Sequence, residues 1–137
     1  YEDARENLKM ALSRLGKPAD RADALNQEAI VLAGDGRLSD AASKLSEALS
    51  LKPSFAEARY NLGNVLVRQG RLTDAVFQYK EAIRIKPEYV QAHNNLGIAL
   101  AKQGEMDKAI IHFSEALRIK PDYSEARKNL ERARRSP

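Results

Sequence analysis

Residues 51–87 read LKPSFAEARYNLGNVLVRQGRLTDAVFQYKEAIRIKP, and residues 85–121 read IKPEYVQAHNNLGIALAKQGEMDKAIIHFSEALRIKP. The two lines are one phrase written twice. Pro53, Pro87 and Pro121 set its period at 34 residues. A fixed period of this size means units that each bury their apolar face only by stacking on a neighbour.

Each unit reads as two amphipathic helices. In the first, Ala58, Leu62, Val65 and Leu66 recur at three- and four-residue steps, which is one helical face. Gly70 ends it, because glycine tolerates the left-handed turn that closes a helix. The second helix carries Ala75, Tyr79, Ala82 and Ile83 on one side. Pro87 stops it, since proline cannot donate and disfavours helix in the residue before it. The small residues Gly63, Ala75 and Ala82 are expected where backbones approach; Leu62, Leu66 and Tyr79 are expected to fill the space left.

The next unit repeats these marks at Leu96, Gly97, Leu100, Ala109, Phe113, Ala116 and Pro121. An earlier unit, residues 22–53, keeps Leu32, Ala41, Leu45, Ala48 and Pro53, but has Glu28-Ala29 in place of Leu-Gly. Its packing is therefore expected to depart from that of its neighbours. With Leu25, Arg59 and His93 in the Trp place, the pattern resembles the tetratricopeptide repeat (TPR) family. The resemblance implies an all-α solenoid of antiparallel helix pairs in a right-handed superhelix. It implies about eight helices, the first helix of each pair lining the concave side.

The chain divides accordingly into an N-terminal helix (1–18), repeats at 19–53, 54–87 and 88–121, and a capping helix (122–137). Helices are expected over 1–15, from an N-cap at Asp20 to Ala33, and over 38–51, 54–69, 72–85, 88–103, 106–119 and 122–135. Gly34-Asp35-Gly36 is a turn. Residues 1–8 (YEDARENL) match 123–130 (YSEARKNL), so residues 1–15 read as the end of an earlier array. Ala11-Leu12-Ser13 before Lys17-Pro18 also matches Ala48-Leu49-Ser50 before Lys52-Pro53. On that alignment the segment packs as a second helix, with Ala4, Leu8, Ala11, Leu12 and Leu15 as its apolar side. The opening Tyr1, not Met, reads as that of a piece of a longer protein.

The 137 residues carry 23 basic and 19 acidic side chains, a net charge of +4. These charges are interspersed, which points to a solvated surface rather than nucleic-acid binding. The absence of cysteine excludes disulfides, thiolate catalysis and zinc–thiolate sites. It leaves the compartment open. No apolar run reaches the roughly 20 residues of a membrane span.

Nothing in the sequence points to a catalytic residue, metal site or cofactor. His93 and His112 lack a second ligand at metal spacing. Ser43, Ser46, Ser50 and Ser114 have no neighbouring base. Glu81 and Glu115 recur at the repeat period, which marks architecture rather than an acid–base pair.

The informative residues are amides. Asn61, Asn95 and Asn129 precede Leu in successive first helices, 34 residues apart. Asparagine is a poor helix-interior residue. The residues three and seven further on share its side: Asn64 and Arg68, Ile98 and Lys102, and Arg132. This stripe lies away from Leu62 and Leu66 and is expected to face the concavity. There the amides either pair with the backbone of an extended peptide or bridge neighbouring helices. The row is similar to that in the TPR superhelix of O-linked N-acetylglucosamine transferase. The basic clamp by which other TPR domains grip acidic chaperone tails is missing, since Asn26, Ile30, Asn61, Gln91 and Asn95 hold its places.

The expected peptide-binding groove is therefore Asn61, Asn64, Arg68, Asn95, Ile98, Lys102 and Asn129. The expected function is a non-catalytic interaction scaffold for a partner peptide or helix. The alternatives are a module stacking end to end, as a homo-oligomer through residues 1–15 or the array ends, and a substrate-presenting arm of a larger enzyme.

Overall fold

The computed structural model describes residues 2–14 and 16–136, with the backbone alone at 12–14. Its eight helices are α1 (Glu2–Arg14), α2 (Pro18–Gly34), α3 (Leu38–Leu51), α4 (Ala56–Arg68), α5 (Leu72–Ile85), α6 (Val90–Lys102), α7 (Met106–Ile119) and α8 (Ser124–Arg135). No strand occurs among the described residues.

Helix ends follow local chemistry. Gly36, Gly70 and Gly104 have φ of 79°, 76° and 82°, the left-handed region. After each, the chain folds back on the helix, as in Arg71 N–H to Leu66 O at 2.9 Å. Asp20 does not cap α2. Lys17 is the N-cap and Pro18 the first helical residue, where its missing N–H costs nothing. The helices expected from residues 54, 88 and 122 begin two residues later. Phe55, Tyr89 and Tyr123 occupy their N-caps, each closing a turn onto the carbonyl of Lys52, Lys86 or Lys120. Each lysine lies over the ring that follows it, at 4.3, 4.5 and 5.7 Å from the centroid.

Packing is sequential: α2 on α3, α3 on α4, and so on to α7 on α8. The first helices α2, α4, α6 and α8 also touch one another in turn. Among the described residues α3, α5 and α7 do not approach each other. Helices in contact along one side and spread along the other define a curved array, its concave face made by the first helices.

The main core cluster runs through the stack from Ala22 to Ala133, beside a smaller one of Ala56, Ala82, Tyr89 and Ala92. Gly63 and Gly97 are points of close approach between helices. A Cβ on Gly63 would lie 2.5 Å from Tyr79 Cε1, and one on Gly97 2.5 Å from Phe113 Cε1. In the first repeat Ala29 and Leu45, both buried, stand where these glycines and rings stand. A leucine there leaves room for a methyl group. Glu28, in the place of core Leu62 and Leu96, is wholly buried. Lys44 Nζ stands 3.7 Å from its carboxylate.

α1 packs on α2, but the apolar side expected of it is not buried as a unit. Ala4 and Ala11 are exposed and Leu8 half-buried. The expectations for Leu12 and Leu15 lie outside the described residues.

Candidate functional site

The concave face is built from side chains that the repeat period places one turn apart on α4, α6 and α8, with Ile30 of α2 at its start. Three depressions lie along it. The first, about 190 Å³, has Ile30, Asn61, Asn64 and Arg68 in its walls. The second, about 240 Å³, has Asn64, Arg68, Tyr79, Asn95 and Ile98. The third, about 320 Å³, has Ile98, Lys102, Phe113, Asn129 and Arg132. Asn64 and Arg68 belong to the first two and Ile98 to the last two, so the three form one furrow. All seven residues singled out from the sequence line it.

The amides of this furrow are engaged with one another. Asn61 Nδ2 donates to Asn26 Oδ1 at 2.9 Å, Asn95 Nδ2 to Tyr60 Oη at 3.1 Å, and Asn129 Nδ2 to Asn94 Oδ1 at 3.0 Å. Each bond spans 35 residues and joins consecutive first helices. Asn95 Nδ2 also reaches Asn64 Oδ1 at 2.9 Å, which accepts from Tyr79 Oη at 2.6 Å. Asparagine therefore sits mid-helix because it latches repeat to repeat. Among the described residues the side-chain oxygens of Asn61 and Asn129 take no protein hydrogen bond. Arg68 donates to Ala33 O at 2.8 Å, and Lys102 points to solvent without an ion pair among the described residues.

Tyr60, in the furrow's latch, is also in contact with Tyr89 and Tyr79, at centroid distances of 5.0 and 6.1 Å. Burial pushes the Tyr79 and Tyr89 hydroxyls up, Glu57 adding to the effect at Tyr89. Both stay protonated and serve as hydrogen-bonding groups.

A second set of polar residues sits between the two helices of the second and third repeats. Arg59 donates to Gln78 Oε1 at 3.1 Å and to Pro53 O at 3.4 Å. In the third repeat His93 takes the place of Arg59 and His112 that of Gln78. Their rings stack at 5.5 Å, with Nδ1 atoms 3.3 Å apart and His93 Nε2 2.9 Å from Pro87 O. A carbonyl only accepts, so the His93 proton is on Nε2, and His93 Nδ1 accepts from the Nδ1–H of His112. Burial, then His93 and Lys80, pull the His112 pKa down to about 4, with Glu115 opposing. Arg127 likewise bonds Pro121 O. In α4, α6 and α8 the Trp place of the pattern is thus filled by residues that tie the helix to the proline turn before it, whereas in the first repeat it holds buried Leu25. The signal was in the sequence as a polar residue, Arg59, His93 or Arg127, six residues after Pro53, Pro87 and Pro121.

Glu81 and Glu115 pair with Arg84 and Arg118 one turn along their own helices. Among the described residues no three His, Asp or Glu side chains form a metal-binding group, and no helix is long and apolar enough to cross a membrane.

Residues 34–70 and 63–104 match the family model described as TPR repeat, and residues 90–123 the one described as Tetratricopeptide repeat. No curated protein matches the chain by sequence. Among solved structures it is similar to the first TPR of Spaghetti (RPAP3) bound to the HSP90 peptide SRMEEVD. There the identity is 16%, the TM-score 0.83, and 85% of this chain and 92% of that one are covered. It is similar to YrrB, described as a TPR protein with an unusual peptide-binding site: 24% identity, TM-score 0.82, 96% and 66% covered. It is also similar to a mutant O-GlcNAc transferase of Thermobaculum terrenum: 25% identity, TM-score 0.80, 87% of this chain but 23% of that one.

Proposed function

This chain belongs to the tetratricopeptide repeat family, and on that premise we propose that it is a protein-interaction module taking up an extended partner peptide along the furrow of its first helices. The observation that carries the reading is the continuity of the furrow, whose three depressions share Asn64, Arg68 and Ile98 as walls. The outward oxygens of Asn61 and Asn129 supply acceptors for backbone N–H groups. Arg68 and Lys102 supply donors at a like position one repeat apart. Two of the structural neighbours carry a peptide or a peptide site in their descriptions. The proposal assigns the chain no catalytic step and no cofactor.

Backbone pairing of this kind is tolerant of sequence. Each hydrogen bond is worth about 0.5–1.5 kcal/mol net, and ordering the peptide takes much of it back. Affinity is expected on the order of micromolar. Peptides selected by display on the whole chain provide the ligand. Asn61→Ala with Asn95→Ala should then weaken binding by about tenfold or more. Ile111→Ser, on an exposed site of α7, should not. A double variant that keeps its helix content and binds as tightly as the parent sinks the reading.

Self-association is a second reading, favoured by one observation. Val31 is 37% exposed, whereas Val65 and Ala99 at the same repeat position are buried. The N-terminal edge of the stack is therefore less fully covered than its interior interfaces, and a second copy would close it.

A further inference from the structure

The third depression differs in chemistry from the second. In the second repeat Tyr79 Oη donates to Asn64 Oδ1 at 2.6 Å, so its floor holds a polar bond. The same positions in the third repeat are Ile98 and Phe113, and no such bond can form. The floor there is apolar, made by Ile98, Ala101, Met106, Phe113 and Ala133. Lys102 and Arg132 stand on its rim, and neither has a carboxylate partner among the described residues. An apolar basin of about 320 Å³ beneath two unpaired cations is complementary to an apolar group next to an anionic one.

We propose that this basin is an anchor pocket. It takes one bulky apolar side chain of an internal segment of the partner. An adjacent aspartate or glutamate places its carboxylate between Lys102 and Arg132. The inference rests on the furrow reading and narrows it: most of the furrow is indifferent to sequence, and the third depression selects it. The cations act through discrimination more than affinity, since a lysine beside the anchor meets two like charges.

The test uses the isotope-labelled whole chain, followed by amide chemical shifts, with acetyl-phenylalanyl-glutamyl amide as probe. Saturable shifts are expected at Ala101, Met106 and Ala133, with a dissociation constant on the order of 1 mM for so small a ligand. Glutamyl-to-lysyl and phenylalanyl-to-alanyl probes should each bind about tenfold more weakly. Lys102→Glu with Arg132→Glu should reverse the preference between the glutamyl and lysyl probes. Ile98→Asn with Phe113→Tyr rebuilds the floor of the second repeat and should weaken the parent probe about tenfold with helix content retained. Equal binding of the lysyl probe overturns the proposal. So does binding only when the peptide ends in a free carboxylate, which would make the partner group a chain terminus. If the probes leave the third depression unmoved while display-selected peptides still bind through Asn61 and Asn95, the anchor falls and the furrow reading stands. If the selected peptides also fail, both fall.

Discussion

Where the two helices of a repeat come closest, the first repeat carries one methyl group on its first helix that the other two lack. Ala29 faces the space of a leucine, Leu45, while Gly63 and Gly97 face the rings of Tyr79 and Phe113. Alanine in a helix is favoured over glycine by about 0.5–1 kcal/mol. A Cβ 2.5 Å from a buried ring outweighs that, since overpacking costs about 1–3 kcal/mol. Gly97→Ala should therefore destabilise in urea unfolding. Gly97→Ala combined with Phe113→Leu, which imports the pair of the first repeat, should fall short of the additive loss by about 1 kcal/mol. Strict additivity would mean that the two residues do not share the space. Glu28 makes the opposite prediction. Its carboxylate is buried with neither oxygen hydrogen-bonded, and Lys44 stands at 3.7 Å. Apolar replacement of buried ion pairs is often neutral or stabilising by about 1–4 kcal/mol, and Lys44, still reaching solvent, can hydrate alone. Glu28→Leu, the residue of the other repeats, should hold or raise the unfolding midpoint. A clear loss would show that the pair contributes to the fold.

At the scale of paired helices, α6 and α7 are joined by two imidazoles where α4 and α5 are joined by Arg59 and Gln78. The third repeat alone should therefore sense mild acid. His112 titrates at about 4 in the folded chain, against an ordinary value of about 6.5. Below 6.5 the unfolded chain binds the proton first, so stability is lost as pH falls from about 6.5 towards 4 and is regained as it rises. The full linkage of such a shift is about 3 kcal/mol. The ring is only half-buried, and solvent screening reduces the expected loss to about 1–2 kcal/mol. His93→Arg with His112→Gln imports the latch of the second repeat. Unfolding midpoints followed from pH 7 to 4 should be flatter for this variant than for the parent. Parallel curves would place the acid sensitivity elsewhere.

Across the whole molecule, the first helices are bound to one another by Asn26–Asn61, Tyr60–Asn95 and Asn94–Asn129. The residues proposed to hold a peptide therefore also hold the curvature of the surface that receives it. Removing Asn61 and Asn95 together should cost about 1–3 kcal/mol of stability, from two latches at about 0.5–1.5 kcal/mol each. Asn129→Ala in α8 should cost about one such bond. Denaturant midpoints of the parent and both variants check this, and unchanged midpoints would remove the latches as a stabilising element. The N-terminal edge carries the other prediction at this scale. With Val31 partly exposed, sedimentation velocity over a concentration series should show reversible dimers, and deletion of residues 1–15 should shift their proportion. A chain that stays monomeric in both forms rules out association through that edge.

The 34-residue period by itself determined the fold, because stacking is forced once each unit is apolar on faces it cannot bury alone. It also placed Asn61, Asn64, Arg68, Asn95, Ile98, Lys102 and Asn129 on one side, since helical spacing fixes which residues share a face. Helix starts at 56, 90 and 124 were not legible, because the turn that delays them is set by Phe55, Tyr89 and Tyr123 folding onto the preceding lysine. Nor was the fit of Ala29 against Leu45, which depends on the volume of a residue in another helix. Only the tertiary structure paired His93 with His112 and aimed the asparagine amides at Asn26, Tyr60 and Asn94. Periodicity states which way a side chain points from its own helix; the partner it meets is decided by the distance and rotation between helices, which only their packing sets.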